Sequence, residues 1–228
     1  MRKTMLALAA FLACAVARAE EKGTPGKPKE GGPPANLVPG QAAVWGFDRD
    51  EAGQAPRGFT TPAGVWKVLA DDSAPSKGNV VKLTEGVAKS DFNVLLLGDT
   101  TYRDLDLRVK MKPVAGQIDQ GGGLIWRAKD GRNYYVARFN PLEDNYRVYK
   151  VVDGKRTQLQ SADVKAPAGW CELRVVMLGD HIWCYLNGQL WLDVQDETFK
   201  SEGLVGLWTK ADAQTAFDDL AANEVKTP

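Results

Sequence analysis

Residues 119–150 read DQGGGLIWRAKDGRNYYVARFNPLEDNYRVYK, and this stretch decides the fold class. Three consecutive glycines, Gly121 to Gly123, lead into a strand-like segment, and two further strand-like segments follow at the spacing of β-hairpins. The dipeptide Asp130-Gly131 marks the first turn between them. Glycines at such a position allow either close approach of two backbones or a bulge that curves the strand. The stretch therefore predicts three consecutive antiparallel strands.

The polar positions of the same stretch repeat one combination of side chains. Arginines stand close to aromatic residues in each predicted strand: Arg127, Arg138 and Arg147 with Trp126, Tyr134, Tyr135 and Tyr149. A planar ring can stack on the apolar face of a sugar ring, and a guanidinium offers a rigid fork of hydrogen-bond donors. The combination is typical of a ligand-binding sheet surface, although a sandwich without a ligand could also carry it.

Alternation of apolar and polar residues continues outside this stretch. Residues 104–111 alternate without a fault, and residues 171–186 predict a hairpin around Gly179-Asp180. The predicted inward positions are Leu105, Leu107, Val109, Met111, Cys171, Leu173, Val175, Met177, Ile182, Cys184 and Leu186. Many short strands, turns rich in Gly, Asp and Asn, and no helical periodicity predict an all-β fold. We expect a single-domain, antiparallel two-sheet jelly-roll sandwich.

The pairing of the 171–186 hairpin also bears on the cysteines. Cys171 and Cys184 would share a face but lie four residues apart along it, roughly 13 Å at ~3.3 Å per residue. A disulfide needs Cα atoms within ~7 Å, so two free, buried cysteines are predicted. At Asn187-Gly188 two registers stay open. A bulged turn would point Leu190, Leu192 and Val194 inward, and a two-residue turn would point Trp191 inward.

The first residues predict a cleaved secretory signal peptide, residues 1–19. Arg2 and Lys3 form a basic start, an apolar stretch follows, and Ala17-Arg18-Ala19 has the small-x-small pattern of a cleavage site. The apolar stretch is too short to span a bilayer, and no later segment approaches ~20 apolar residues. An alternative is a lipoprotein with Cys14 as the lipidated residue. Either way, we expect an exported protein, periplasmic or secreted.

The remaining chain divides into a linker and a domain. Proline, glycine and charged residues dominate residues 20–42, which predicts a disordered linker, and residues 43–226 are predicted to form the jelly-roll domain. The chain has 29 basic and 29 acidic residues. Without the three basic residues of the signal peptide the balance is 26 to 29, a net charge near −3. Such a charge argues against nucleic acid or an anionic membrane as the partner.

Four segments carry a resemblance to a known family: DQGGGLIWR, NYYVARFNPLEDN, YKVVDGKRTQL and GLWTKADAQTAFDDL. They resemble secreted bacterial domains of the concanavalin A-like, laminin-G-like jelly-roll superfamily, and most of all the group known as 3-keto-disaccharide hydrolases. The resemblance runs from Phe47-Asp48 to Phe217-Asp218-Asp219. It implies two curved sheets packed face to face, with a concave face open to a glycan. It does not by itself imply an activity, because such sandwiches host lectins, glycosidases and adhesive modules.

The resemblance also suggests which residues line the concave face. Because alternate residues of a strand share a face, we expect Arg127, Tyr134, Arg138, Arg147 and Tyr149 to line it. This assignment requires Tyr135, Ala137 and Phe139 to be the inward set. The predicted ligand site also includes Asn140, Trp208 and Lys210. The segment from Trp208 to Asp212 follows an apolar strand, so it is either the rim of the site or a solvated strand end.

The sequence gives less evidence for catalysis than for ligand binding. A glycosidase normally needs two carboxylates, ~5–5.5 Å apart for retention or ~6.5–9.5 Å apart for inversion. The Glu-x-Asp-x-x-Glu motif of the retaining glucanases of this superfamily does not occur in the chain. The acidic candidates that remain are Glu143, Asp119 and Asp212, and Glu143 could equally belong to an ordinary Asp144-Asn145 turn. Without Cys14 of the signal peptide, the exported chain has one histidine and two separated cysteines, which indicate neither a triad nor a zinc site.

A structural calcium ion is a further expectation from the resemblance, because jelly rolls of this superfamily often carry one. Calcium takes 6–8 oxygen ligands. Asp48 near the first strand and Asp218 or Asp219 in the last strand are candidates, since terminal strands of such folds tend to be neighbours. They could also be surface carboxylates that flank core residues.

Three functions therefore stay open. The first is a secreted carbohydrate-binding protein that uses the concave aromatic and arginine face without catalysis. The second is a glycoside hydrolase acting on 3-keto-disaccharides or related glycosides. The third is a structural or adhesive module of the cell envelope. The partner in the first two is a glycan or a small saccharide.

Overall fold

A computed structural model describes residues 26–88, 91–165 and 169–227. All regular structure in these ranges is β-strand, and they contain no helix that could cross a membrane. The predicted signal peptide and residues 20–25 of the predicted linker lie outside the described residues. The sixteen strands are β1 (Val38–Pro39), β2 (Ala43–Trp45), β3 (Phe59–Ala63), β4 (Val65–Ala70), β5 (Asn79–Glu85), β6 (Phe92–Tyr102), β7 (Leu105–Ala115), β8 (Gly122–Asp130), β9 (Asn133–Asn140), β10 (Asn145–Val152), β11 (Lys155–Asp163), β12 (Cys171–Leu178), β13 (His181–Leu186), β14 (Gln189–Gln195), β15 (Gly203–Lys210) and β16 (Gln214–Lys226).

The strands form two antiparallel sheets. The first sheet follows the order β14-β13-β12-β7-β16-β5-β4, and β1 and β2 also pair with β16. The second sheet follows the order β11-β10-β9-β8-β15-β6-β3. The predicted all-β, two-sheet, single-domain fold is confirmed. The opening stretch supplies three consecutive neighbours of the second sheet, β8, β9 and β10, also as predicted.

The core lies between the sheets and is filled by the inward positions that the alternation predicts. In β7, Leu105, Leu107, Val109 and Met111 are all fully buried there. The hairpin β12–β13 contributes Leu173, Val175, Met177, Ile182 and both cysteines. Cys171 and Cys184 are free and buried, which confirms the prediction made from their separation along the sheet.

The three glycines at the start of β8 permit close approach of neighbouring backbone and side chains. A Cβ atom at Gly123 would lie 2.4 Å from the carbonyl oxygen of Ala137 on β9. One at Gly121 would lie 2.9 Å from both Arg138 Nε and Asp119 Oδ1. Any other residue would therefore push β9 or this polar pair away, which confirms close approach as the reason for the glycines.

Part of the predicted linker lies against the sandwich. Val38 and Pro39 pair with the end of β16, the Gly26 N–H donates to the Asp163 carbonyl at 3.2 Å, and the Lys29 N–H donates to the Leu190 carbonyl at 2.7 Å. The last two acceptors belong to the edge strands β11 and β14. Edge strands offer unpaired backbone groups, so a polar, proline-rich segment can attach to them without burying apolar side chains.

The turn between β13 and β14 combines the two registers left open by the sequence. Asn187 and Gly188 form a two-residue turn with φ values of 48° and 77°, as in a type I′ hairpin. A bulge in β14 between Leu190 and Leu192, opposite Tyr185 and Cys184, then changes which side of the sheet the side chains of β14 point to. As a result Leu192 points into the core, whereas Leu190 packs on the other surface of the first sheet.

Candidate functional site

The surface of the second sheet that faces away from the core, here called the outer face, carries most of the predicted ligand residues. Arg138 pairs with Arg147 and Val136 pairs with Tyr149, and Tyr134 follows on the same side of β9. Tyr135, Ala137 and Phe139 point into the core, as that assignment requires. The structure thus places Tyr134, Arg138, Arg147 and Tyr149 on one face, and ligand binding by them stays a prediction.

Four aromatic residues and one arginine pack together on the outer face as an aromatic cluster: Phe92, Tyr134, Tyr149, Trp208 and Arg156. The Trp208 indole N–H donates to Tyr134 Oη at 3.2 Å, and the Phe92 and Trp208 ring centroids are 5.2 Å apart. The guanidinium carbon of Arg156 lies 4.3 Å from the ring centroid of Tyr149, 5.3 Å from that of Phe92 and 5.8 Å from that of Trp208. The cation is thus held against aromatic ring faces.

The rings of this cluster are less accessible than the sequence suggests. Tyr134 and Trp208 are fully buried, and Tyr149 is 3% exposed. Phe92 and Arg156 are half-buried and lie against those rings. A ligand would therefore meet Phe92 and Arg156 first, while the other three side chains support them from below.

The sequence patterns did not point to Phe92 or Arg156 as site residues. Arg156 could have been found, because Asp153-Gly154 is a two-residue turn and Val151 pairs with Arg156 across it. Continuing the alternation of Tyr149 through that turn puts Arg156 on the outer face. Phe92 carries no such signal, since β6 is distant in sequence and reaches the cluster only through its pairing with β15.

Besides the aromatic cluster, the outer face carries a group of charged side chains around Arg138. Its Nη2 donates to Asp119 Oδ2 at 2.7 Å and to Glu143 Oε1 at 3.1 Å, and its Nη1 donates to Glu143 Oε2 at 3.2 Å. Arg147 Nη1 lies 3.6 Å from Glu143 Oε2. The side chains of Arg138 and Asp119 are each 2% exposed. Two of the three predicted catalytic carboxylates, Asp119 and Glu143, are therefore brought together by one guanidinium.

The electrostatics of Glu143 do not suit a proton donor. Burial would raise its pKa, but hydrogen bonds and charge from Arg138, with Asn145 and Arg147, lower the pKa to about 2. A general acid must be protonated near neutral pH, which requires a raised pKa. In this arrangement Glu143 is an ion-pair partner that stays charged.

Two other predicted site residues hold the loop that carries Asp119. The Asp212 carboxylate accepts the backbone N–H groups of Gln117, Ile118 and Asp119 at 2.8–3.1 Å, and these bonds lower its pKa. Asn140 is fully buried, and its Nδ2 donates to Asp119 Oδ1 at 3.2 Å. Both residues therefore orient Asp119, and ligand binding by Asn140 and catalysis by Asp212 stay predictions.

Three buried polar atoms on or beside the outer face have no hydrogen-bond partner among the described residues: Arg138 Nε, Tyr149 Oη and Arg156 Nη1. Buried polar groups are nearly always paired, because an unpaired donor or acceptor costs about 1–3 kcal/mol. Two of the three belong to the aromatic cluster. A bound molecule or an ordered water at that place would supply the missing acceptor.

A cavity of about 680 Å³ adjoins the aromatic cluster and shares Phe92 with it. Ligand pockets commonly measure about 300–1,000 Å³. The cavity lies between β3, the residues before β6 and the turns of the β8–β9 and β10–β11 hairpins. Its lining comprises Pro62, Ala63, Val87, Asp91, Phe92, Asp130, Gly131, Arg132, Asp153, Gly154 and Lys155.

Arg127, predicted to line the ligand face, lies elsewhere. A bulge with φ of 47° at Arg127 changes the parity of β8 after Trp126. The guanidinium donates to the backbone carbonyls of Arg103, Phe199 and Gly179 at 2.7–2.8 Å, and to Asp104 at 3.2 Å. Burial lowers its pKa despite the charge of Asp104. Its position as a ligand-face residue is therefore wrong, and it joins the connections at one end of the sandwich.

The three predicted calcium ligands do lie close together, because β2 and β16 are neighbours. Three of their six carboxylate oxygens accept hydrogen bonds from the protein. Asp48 Oδ1 accepts from Ser76 Oγ and the Asn79 N–H, and Asp218 accepts from the N–H groups of Ser76 and Asp219. Among the described residues no group of three or more His, Cys, Asp or Glu could hold a metal ion. Calcium at these residues stays a prediction, and it would need further oxygen ligands to reach the 6–8 that this ion takes.

Asp219→Asn is expected to raise Tm at pH 7 by roughly 1–2 °C for a domain of this size. Burial and the charges of Asp218 and Asp48 raise the pKa of Asp219, so ionised Asp219 destabilises the fold above that pKa. The gain should vanish below about pH 4, where Asp219 is protonated. Asparagine tolerates the φ of 49° at this position. Thermal unfolding at both pH values, followed by circular dichroism, measures the difference.

The same melts with calcium or with EGTA separate this result from metal binding. A calcium-dependent rise in the Tm of the wild type that Asp219→Asn abolishes would show that a cation neutralises the cluster. A lower Tm of the variant at pH 7 without calcium would contradict the expected repulsion.

Comparisons with solved structures show that this architecture is a jelly roll. The carbohydrate-binding module CBM66 from Bacillus subtilis superposes with a TM-score of 0.61 at 22% identity, over 73% of this chain and 95% of that one. A protein of unknown function with a galectin-like fold, also from Bacillus subtilis, gives 0.60 at 10% identity over 84% and 100%. A β-glucanase from Bacillus licheniformis gives 0.52 at 14% identity over 81% and 98%. These likenesses concern the fold.

The sequence matches no curated protein. Residues 53–222 match one family, described as the 3-keto-alpha-glucoside-1,2-lyase-like domain. The match spans most of the chain, from the segment before β3 into β16, and includes the outer face with its aromatic cluster. The chain therefore belongs to the family of 3-keto-α-glucoside-1,2-lyase-like domains.

Proposed function

We propose that this protein, exported after removal of residues 1–19, binds a carbohydrate on the outer face of its second sheet. The observation that carries the proposal is the aromatic cluster beside a cavity of about 680 Å³, with buried donors that have no partner among the described residues. Mass spectrometry of the protein recovered outside the cytoplasm tests the export, because removal of residues 1–19 lowers the molecular mass.

The chemistry of this surface suits a sugar. Phe92 presents a ring face for the C–H groups of a pyranose, and its neighbour Arg156 presents donors for oxygen atoms. The cavity adds the side chains of Asp130, Asp153 and Arg132, which can accept from or donate to hydroxyl groups. The similarity in fold to a carbohydrate-binding module supports the same class of ligand.

Cleavage of a glycoside, the activity in the family description, is the second candidate. The positions of Asp119 and Glu143 support cleavage, because both carboxylates accept hydrogen bonds from Arg138 Nη2 and therefore lie close together. The lowered pKa of Glu143 and the burial of Asp119 disfavour it. Release of a 3-keto sugar from 3-keto-α-glucosides is the assay. Activity that survives replacement of Asp119, Glu143 and Asp212 would exclude these residues as its source.

Binding should depend on Phe92. We expect the wild type to bind members of a glycan array that spans plant, microbial and host sugars, and Phe92→Ala to lose roughly tenfold in affinity, because the stacking surface is removed. Affinity gel electrophoresis with the strongest array ligand measures the loss.

Trp170→Ala is the matched control, since Trp170 is a half-buried aromatic residue that packs against residues of the first sheet. Its affinity should equal that of the wild type. An array without any bound glycan would overturn the proposal, and a stable protein complex that no sugar affects would favour an adhesive module instead. Equal losses of affinity in Phe92→Ala and Trp170→Ala would show that the carbohydrate does not bind on the outer face.

A further inference from the structure

We propose that the carbohydrate is acidic, and that Arg156 binds its carboxylate. This inference rests on the proposed function, because it names the class of sugar that the outer face binds. Uronic acids supply such a carboxylate within an oligosaccharide.

Arg156 has charge that no described residue neutralises. Its guanidinium touches the rings of Phe92, Tyr149 and Trp208, and it makes no hydrogen bond or ion pair within the described part of the chain. Its Nη1 is buried without an acceptor. A partly buried cation gains most from a carboxylate, which can take two parallel hydrogen bonds from a guanidinium.

The other arginines of the outer face differ from Arg156 in this respect. Arg138 is paired with Asp119 and Glu143, and Arg147 also lies beside Glu143. Lys210 resembles Arg156, because no ion pair to it occurs in residues 26–88, 91–165 and 169–227. Lys210 is the register partner of Phe92, so it neighbours the same cluster. The unpaired positive charge of the outer face is therefore concentrated around Phe92.

Tyr149 supports Arg156 from below. Its hydroxyl is buried and unpaired, and its ring supports the guanidinium. The buried Nη1 donor and the charge of Arg156 together match an ionised carboxylate, which only accepts hydrogen bonds. A neutral hydroxyl can accept from Nη1, but it would leave the charge of Arg156 without a counter-ion.

The carboxylate and the rest of the sugar would occupy different parts of the site. Phe92 and Lys155, the residue before Arg156, line the cavity, so Arg156 stands at its edge. The cavity is lined by three acidic residues, Asp91, Asp130 and Asp153, and by two basic ones, Arg132 and Lys155, so it carries a net negative charge that disfavours an anion there. We therefore place the carboxylate at Arg156 and the hydroxyl-bearing rings in the cavity.

Matched pairs of oligosaccharides test this assignment. Tetramers of galacturonate, mannuronate and glucuronate are compared with their fully methyl-esterified forms, which keep the size and lose the charge. We expect at least one acid to bind ten times or more tightly than its ester in isothermal titration calorimetry. Arg156→Gln should reduce acid binding at least tenfold and change ester binding less than twofold. Arg156→Lys should retain part of the preference, because it keeps the charge without the planar fork.

Arg108→Gln, a half-buried arginine on the first sheet, is the control and should keep the affinity of the wild type. Thermal melts of each variant confirm that it is folded. Equal binding of acids and esters, or a preference unchanged in Arg156→Gln, would overturn the inference and leave carbohydrate binding standing. A preference confined to sulfated glycans would replace the carboxylate by a sulfate ester and overturn it too. Absence of binding to every acidic and neutral glycan would overturn both proposals.

Discussion

Arg138→Met is expected to lower the free energy of unfolding by about 3–5 kcal/mol, because it leaves a buried carboxylate without its counter-ion. Arg138 and Asp119 are each 2% exposed and lie 2.7 Å apart, so water cannot replace the lost guanidinium. For a domain of this size the fall in Tm would be roughly 10 °C. Urea unfolding monitored by tryptophan fluorescence measures the change.

Two comparisons identify the cause of that loss. Arg57→Met removes an arginine whose side chain is 69% exposed from an ion pair with Asp50, and should cost less than about 1 kcal/mol. The double variant Asp119→Asn/Arg138→Met should lose less than the sum of the two single variants, because it leaves no buried charge. A loss from Arg138→Met as small as that from Arg57→Met would show that the buried pair does not stabilise the fold.

Arg127→Met is expected to cost about 3–4 kcal/mol, since it leaves buried backbone carbonyls without a donor. The guanidinium reaches the carbonyls of Arg103, Phe199 and Gly179, which belong to three different connections. No other side chain has donors in that fork geometry, so Arg127→Lys should lose most of the same stability. Urea unfolding of both variants measures the cost.

Carbohydrate binding should not change in the folded Arg127→Met protein, because Arg127 lies away from the outer face. The affinity at a temperature well below its Tm, compared with that of the wild type, tests this. A stable Arg127→Met protein with weakened binding would return Arg127 to the ligand site where the sequence placed it.

Much of the fold follows from local patterns. Alternation in residues 104–111 and 171–186 correctly identified the inward side chains of β7, β12 and β13. The same reasoning placed Tyr134 and Arg138 on one face of β9. It failed at Arg127, because a single left-handed residue changes the parity of the rest of a strand, and alternation cannot reveal a bulge.

The candidate site could be predicted only in part, because strands distant in sequence assemble it. Trp208 comes from β15 and Phe92 from β6, and Arg156 of β11 contacts both rings across the strands that lie between them in the second sheet. Glu143 looked like a free acid in a loop, yet its contacts with Arg138 lower its pKa to about 2. Partners of this kind depend on the pairing of β9 with its neighbours and on the loop that carries Asp119.

Alternation and turn residues that lie close together in the chain are enough to predict the all-β class, the antiparallel hairpins and the side of each regular strand that meets the core. Which charges are neutralised depends instead on contacts between distant parts of the folded chain. Arg127, Arg138 and Arg156 have the same side chain, and they differ in what long-range packing brings to them: backbone carbonyls, buried carboxylates or aromatic rings. Burial and distance set the strength of an ionic interaction, and both arise only when the two sheets are in place.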